Sequence, residues 1–521
     1  MSILFIHPAV AKPCEPPAGI ARLVGVLRSF EIPCGVLDAN LEGLLWLMRR
    51  PIAASDRWTR RAVRNREHNL ERIRGWNGYA RMDGYRRVVA DLNRLVATSV
   101  QGTRIRMSLA NYQDACLTPA RSQDLLQAAE RPEQNPLYSY FEPRLTALME
   151  AEQPGLVGIS LNYLSQALCA FAMAGFLRRN WPEVPLIMGG GLVTSWMRSP
   201  GWSDPFAGLV EEMVAGAGEE PLLARFGIYA RKRLGRHLAV ECSLFPVQDY
   251  FAPGPILPYS ASRGCYWNRC AFCPEQAEGN RYVPTAHSQV VADLHGLVRQ
   301  TRPVLIHLLD NALSPGLLKT LAMNAPGAPW YGFARFSQDL AEVEFCQALR
   351  ASGCVMLKLG LESGDQGVLD REGKGVDLGL AARVLKNLAT AGIAAYVYLL
   401  FGTPSESEDE ARATLEFTVL HSEDIAFLNL AIFNLPLAGS GREGLEVIPH
   451  SDGDLSLYAG FRHPRGWDRT KVRRFLDREF RRHPAMAAIL RRDPRFFTSN
   501  HAAFFSMVAA GGPGMRTVST P

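Results

Sequence analysis

The sequence predicts an α/β protein with two parallel-sheet domains, a doubly wound one followed by a partial barrel, and a mixed C-terminal region. Three observations predict it. Short apolar runs alternate with helix-periodic stretches through residues 1–222. A proline-punctuated stretch, 223–257, then interrupts the pattern. Six further strand-and-helix pairs follow within 258–438. The 521 residues are too many for a single ordinary core, so a division into domains is expected.

In order, residues 2–7 read as a buried strand, and the Pro16, Pro17 and Gly19 cluster opens a helix over about 20–30. The second strand is 35–38, the third 156–160 with a helix through Arg179, the fourth 185–191 and the fifth 213–216. Between the second and third lies an insert of about 44–152, helical in pattern and rich in arginine (Arg60, Arg61, Arg64, Arg66, Arg72, Arg74). Its arginines predict a solvated helix face. Beyond the 223–257 linker, strands are expected at 259–263, 304–309, 330–336, 355–361, 395–401 and 425–433, and helices at 287–300, 342–351, 378–391 and 408–421. Residues 439–521 are mixed and end in a Gly/Pro/Ser/Thr-rich tail expected to be disordered.

Composition excludes several classes. Hydrophobic residues are 47% and charged residues 21%, the balance of a water-soluble globular chain. The formal net charge of +6 is mild over this length and no block of like charge appears, so no nucleic-acid partner is expected. No apolar run is long enough for a membrane span, and the first residues lack a basic leader, so the expected location is cytoplasmic. Seven of the ten cysteines are scattered and read as small buried hydrophobes.

The other three are clustered: Ser-Arg-Gly-Cys265-Tyr-Trp-Asn-Arg-Cys270-Ala-Phe272-Cys273. Zinc would ask for a fourth ligand nearby, and the nearest downstream histidine is His287. A redox dithiol would leave Cys265 without a role. Three thiolates on one loop suit three corners of a cubic [4Fe-4S] cluster and leave the fourth iron open to a ligand. The loop falls just after the first strand of the second series, on the rim where barrel chemistry is expected. Arg263 and Arg269 flank it, and Tyr266, Trp267, Glu275, Glu278 and Tyr282 are candidates to line a pocket beside it.

This loop resembles the signature of the radical S-adenosylmethionine (SAM) enzymes, Cys-x3-Cys-x2-Cys with an aromatic residue before the last cysteine; here the first spacing is one residue longer and Phe272 is the aromatic. The resemblance extends along the series: Leu309-Asp310-Asn311 at the second strand end, Phe333-Ala-Arg335-Phe336 at the third, Lys358-Leu-Gly-Leu-Glu362-Ser-Gly364 at the fourth and Leu400-Phe-Gly402-Thr-Pro404-Ser-Glu406 at the fifth. It implies a (βα)6 partial TIM barrel over 258–438, with Cys265, Cys270 and Cys273 on the cluster and Phe272, Arg335, Glu362, Gly402 and Pro404 around SAM. It also implies reductive cleavage of SAM to a 5′-deoxyadenosyl radical that abstracts hydrogen from carbon.

A doubly wound domain ahead of such a barrel is similar to the Rossmann-like cobalamin-binding domain of one radical SAM subgroup. Asp38-Ala-Asn40-Leu-Glu-Gly43 resembles the cobalamin motif Asp-x-His-x-x-Gly, with Asn40, a poor cobalt ligand, where the histidine would stand. Ser160-Leu-Asn-Tyr163 after the third strand, Gly189-Gly190-Gly191 after the fourth and Val214-Ala-Gly216-Ala-Gly218-Glu219-Glu220 look like further cobalamin-binding segments.

The expected function is cobalamin-dependent methylation of an unactivated carbon in a small-molecule, lipid or peptide substrate, with ferredoxin or flavodoxin as electron donor. Two alternatives stand beside it. One is a radical SAM rearrangement, cyclisation or oxidation without methyl transfer. The other is a non-catalytic iron–sulfur or zinc protein. Tyr458, Phe461 and Trp467 of the C-terminal region read as core aromatics or as a cap on the active site.

Overall fold

A computed structural model describes residues 1–53, 56–229, 240–438, 444–448, 453–494 and 499–509. The chain divides into two compact units, Met1–Ile256 with Ser451–Leu457, and Leu257–His450 with Tyr458–Pro521. Among the described residues no helix is long and apolar enough to cross a membrane.

The first unit is built on a five-stranded sheet of β1 (Ile3–His7), β2 (Cys34–Asp38), β3 (Leu156–Ser160), β4 (Leu186–Gly189) and β5 (Glu212–Val214), in the order β2-β1-β3-β4-β5. Every pairing is parallel. All five residues of β1 are buried, which is why it is an unbroken apolar run rather than an alternating one. The chain order reverses between β1 and β3, and in such sheets the crevice for a ligand lies beyond the strand ends at that point.

The insert is helical as expected, at Arg57–Arg64, Arg66–Ile73, Met82–Ser99, Ser122–Glu130 and Tyr138–Glu152. It also holds a short hairpin, Ile105–Met107 paired with Tyr112–Asp114, that the sequence reading did not find. On the first of these helices Arg60, Arg61 and Arg64 are all exposed, and Arg61 also pairs with the buried Asp91 at 2.5 Å.

The expected linker is corrected in two places. Its first residues belong to a helix, Glu219–Arg225. Residues 240–256 pack into the first unit, because Cys242, Phe245, Tyr250 and Phe251 are apolar enough to be buried and the Phe251 N–H bonds the Pro13 carbonyl at 2.8 Å. Residues 230–239 lie outside those described.

The second unit holds a six-stranded sheet: β6 (Ile256–Tyr259), β7 (Leu305–Leu308), β8 (Trp330–Ala334), β9 (Cys354–Glu362), β10 (Ala394–Phe401) and β11 (Phe427–Ile432), adjacent in chain order with no reversal. The pairings from β7 to β11 are parallel. With right-handed crossovers, that order puts the connecting helices on one face of the sheet.

One strand differs from expectation. The first strand is Ile256–Tyr259 rather than 259–263, because the buried run is Ile-Leu-Pro-Tyr. The polar Ser262–Arg263 instead pairs antiparallel with Val283–Pro284 and makes a lip around the cysteine loop. Pro258, which has no N–H, sits in a strand at the sheet edge, where that loss is tolerated.

The C-terminal region adds a small antiparallel sheet of Leu435–Pro436, Tyr458–Phe461 and Val447–Ile448, and helices at Arg469–Phe475, Pro484–Arg492 and Ser499–Ala509. The tail expected to be disordered lies outside the described residues.

Candidate cluster and cofactor sites

In the second unit the cysteine loop is tied down at both ends. Asp310, just past β7 and 2% exposed, accepts from the Ala261 N–H at 3.0 Å and the Ser262 hydroxyl at 2.5 Å. Gly264 has φ +70°, and a Cβ there would lie 2.5 Å from the Arg281 carbonyl oxygen, so this close approach requires glycine.

Further along, the Trp267 indole N–H bonds the Gly373 carbonyl at 2.9 Å, and the Ala271 N–H bonds the Glu372 carbonyl at 3.0 Å. The loop therefore docks on residues 372–375, a turn after the helix Gln366–Arg371. Trp267, a candidate pocket lining, also anchors the loop. The Arg335 guanidinium stands 4.2 Å from the centre of its ring and Arg269 5.2 Å. Tyr266 and Tyr282 meet with ring centres 6.2 Å apart.

Cys270 is buried and Cys265 and Cys273 are half-buried. Burial pushes the Cys270 thiol up, against the pull of the Lys374 and Arg335 cations; burial also raises Cys273, opposed by the Gln276 and Glu275 N–H groups. Arg335 reaches to within 4.0 Å of the Cys270 sulfur and donates to the Lys374 carbonyl. Lys374 donates to Glu362 at 2.8 Å and lies 5.6 Å over the Phe272 ring. The buried Arg335 and Lys374 cations beside Cys270 thus offset part of the cost that burial sets on its thiolate, the form in which a cysteine binds metal. Among the described residues, no three His, Cys, Asp or Glu side chains converge as they would on one ion.

Phe272, Arg335, Glu362 and Cys270 thus come together through Lys374. Glu362 ends β9 with φ +69°, beside a register shift after Gly360. A left-handed glutamate costs energy that only surrounding structure can hold, and such residues concentrate at functional sites. Gly402 and Pro404 lie in the turn after β10. That turn meets the same 372–375 segment through the Ser405 hydroxyl, which donates to Glu372 at 2.5 Å.

This 372–375 segment is not among the sites expected from the sequence. The signal was present as Gly373-Lys374-Gly375, two glycines around a buried lysine, both at positive φ.

In the first unit, the loops after β3 and β4 are joined. The Leu161 N–H bonds the Gly189 carbonyl at 2.7 Å, and Asn162 accepts from the Gly191 N–H at 3.0 Å while donating to Ser160 at 3.1 Å. Gly190 has φ +115°, and a Cβ there would strike the Leu161 carbonyl. Tyr163 is 58% exposed and Gly191 is exposed, so Ser160, Tyr163 and Gly189–Gly191 lie together on one rim of the sheet.

Asp38, Asn40 and Gly43 are not on that rim. Asp38 caps the helix Ala39–Arg49 through the Leu41 N–H at 2.9 Å and accepts from the Tyr250 hydroxyl at 2.5 Å. Asn40 is 1% exposed and accepts from the Ala11 N–H at 2.8 Å. Gly43 faces Leu137 and Tyr140. The likeness to the cobalamin motif at 38–43 therefore coincides with capping and packing.

The sequence reading did not single out His7. It ends β1 beside the crossover and is buried, and desolvation, partly offset by Asp38, lowers its pKa and keeps the ring neutral.

Together these features define a class: a two-unit α/β protein with a three-cysteine loop beyond the first strand of a six-stranded, consecutively ordered sheet. No family model matches the chain. Its fold is similar to that of a solved radical SAM methyltransferase. The radical SAM methyltransferase TsrM from Kitasatospora setae, with cobalamin and a [4Fe-4S] cluster bound, is similar over 86% of this chain and 81% of its own, with a TM-score of 0.50 and 16% identity. The same enzyme with tryptophan substrate and a SAM analogue bound is similar over 86% and 79%, with a TM-score of 0.50 and 15% identity. At such identities the likeness is one of fold. In sequence, the chain is 25% identical over 194 residues to an uncharacterized methyltransferase, PH0819, of Pyrococcus horikoshii, covering 36% of this chain and 42% of that relative. The chain thus spans less than half of the length of the curated relative it matches.

Proposed function

We propose that the chain is a cobalamin-dependent radical SAM enzyme that methylates an unactivated carbon. In this reading the first unit is a Rossmann-like cobalamin-binding domain and the second a (βα)6 partial barrel. The observation that carries it is the cysteine loop docked on residues 372–375, with the buried cations Arg335 and Lys374 beside Cys270. When bound, a [4Fe-4S] cluster supplies the electron that cleaves SAM, and cobalamin supplies a methyl carrier.

The chain's own residues have separate tasks. Cys265, Cys270 and Cys273 hold three irons. Glu362, oriented by Lys374, and the Gly402–Pro404 backbone hold SAM, and Phe272 packs against Phe433, Leu435 and Ala459 to shield the loop from water. Ser160, Tyr163 and Gly189–Gly191 line the cobalamin face. Asp38, Asn40 and Gly43 are left out of this ligand set because their groups are engaged inside the unit. A ferredoxin- or flavodoxin-class carrier supplies the electron.

The test is anaerobic reconstitution with iron, sulfide and hydroxocobalamin, followed by reduction with SAM and candidate substrates. The reading expects near-stoichiometric corrinoid and both 5′-deoxyadenosine and S-adenosylhomocysteine. Deoxyadenosine without S-adenosylhomocysteine would replace methyl transfer by a rearrangement, cyclisation or oxidation. Absence of SAM cleavage would refute the radical reading.

A further inference from the structure

Glu406 follows the turn after β10 and is fully buried. One of its oxygens, Oε2, accepts from the Gly402 N–H at 2.5 Å and from the Trp467 indole N–H at 3.0 Å. The other, Oε1, is buried with no hydrogen-bond partner among the described residues. Both donors are neutral. The nearby guanidiniums serve other acceptors: Arg371 and Arg465 each donate to Glu410 and to the Ser405 carbonyl. An ionised carboxylate so placed would leave a buried lone-pair oxygen unsolvated, at high cost. A protonated one places its hydrogen on Oε1 and keeps Oε2 as acceptor.

The same stretch is held at Thr403, Ser405 and Glu406 by one C-terminal segment. His463 Nε2 donates to the Thr403 carbonyl at 2.8 Å, Arg465 donates to the Ser405 carbonyl at 2.8 Å, and Trp467 donates to Glu406. His463 Nδ1 accepts from the Arg465 and Trp467 N–H groups, both at 3.2 Å. Donating from one ring nitrogen and accepting at the other requires a neutral imidazole.

We infer that Glu406 is a positioning residue that works as a neutral carboxylic acid: it locks the Gly402–Pro404 turn beneath the His463–Trp467 strap, so that SAM affinity depends on Glu406 keeping its proton. The inference rests on the proposed reading, in which that turn holds SAM. Burial, outweighing the bonds from Gly402 and Trp467 and reinforced by the charges of Glu410 and Glu372, raises the Glu406 pKa to about 8. His463 faces the same turn; burial lowers its pKa, so it stays neutral while Glu406 titrates. Loss of the Glu406 proton to solvent leaves a buried anion beside Glu410 and Glu372, and opening of the strap would hydrate it.

Infrared difference spectra between about pH 6.5 and 9.5 test this directly. Wild type should show a protonated-carboxyl carbonyl band that disappears with a midpoint near pH 8 and is missing from Glu406→Gln. In hydrogen exchange at matched pH, the peptide containing Gly402 should lose protection in wild type above the midpoint but keep it in the variant. In the reconstituted protein, SAM affinity by equilibrium dialysis should fall about tenfold for one pH unit above the midpoint in wild type and stay flat in Glu406→Gln. Should that variant misfold, Trp467→Phe, which removes one donor to Oε2, is expected to move the infrared midpoint upward. A band titrating in the ordinary carboxylate range, or a variant that tracks wild type in exchange and affinity, overturns the inference. If no SAM binds at any pH, the cofactor reading fails, while the infrared and exchange results still decide the state of Glu406.

Discussion

At the scale of residues, the second unit concentrates unusual choices around one turn. Lys374 is buried and its partner Glu362 is nearly so, with a backbone in the left-handed region. Removing one member of such a pair leaves the other charge unpaired. Lys374→Met should therefore cost about 3 kcal/mol in denaturant unfolding and weaken SAM binding together with it. Replacing any one of Cys265, Cys270 and Cys273 by alanine should abolish the iron–sulfur absorbance of the reconstituted protein. Cys116→Ala, at an exposed site, should leave it intact. The cysteine spacing and Phe272 were legible in the sequence because they are local. The partners that make the site were not: Trp267 and Gly373 are 106 residues apart, and Arg335 and Cys270 are 65 apart.

At the scale of elements, the strand and helix periodicities were legible nearly throughout. The helix Leu378–Ala391 and the strand Leu156–Ser160 lie where the pattern predicts them. The misses have physical causes. The first strand of the second unit starts three residues early because burial follows the Ile256–Tyr259 run and not the polar residues after it. The hairpin at Ile105–Met107 is too short for alternation to register.

Helix packing also gives a test. A Cβ on Gly175, in the helix Leu164–Asn180, would overlap the Ala129 carbonyl at the C-terminal end of the helix Ser122–Glu130. Gly175→Ala improves helix propensity by about 1 kcal/mol but overpacks against backbone at up to about 3 kcal/mol. The clash should win, and the thermal midpoint should fall.

At the scale of the whole molecule, the neutral carboxyl links stability to pH. The Glu406 pKa is raised from 4.5 to about 8, so between those values the folded chain holds a proton that the unfolded chain has released. Its contribution is complete below pH 4.5 and is lost as pH rises through about 8. The difference in thermal midpoint between wild type and Glu406→Gln should therefore shift against wild type across that interval; a constant difference would show that the carboxyl titrates normally.

By itself the sequence determined the alternation of strands and helices, the break between two series and the three-cysteine loop with its aromatic. All of these are written in residues close along the chain, where periodicity and spacing act. Only the tertiary structure decided which polar groups are engaged inside. It brought Tyr250 onto Asp38 across 212 residues, so that this carboxylate caps a helix and accepts a second bond inside the unit. It also brought Trp467 onto Glu406 across 61 residues and buried that carboxyl. The physical reason is the same in both cases: burial and hydrogen-bond satisfaction depend on contacts between distant residues, and no local pattern carries them.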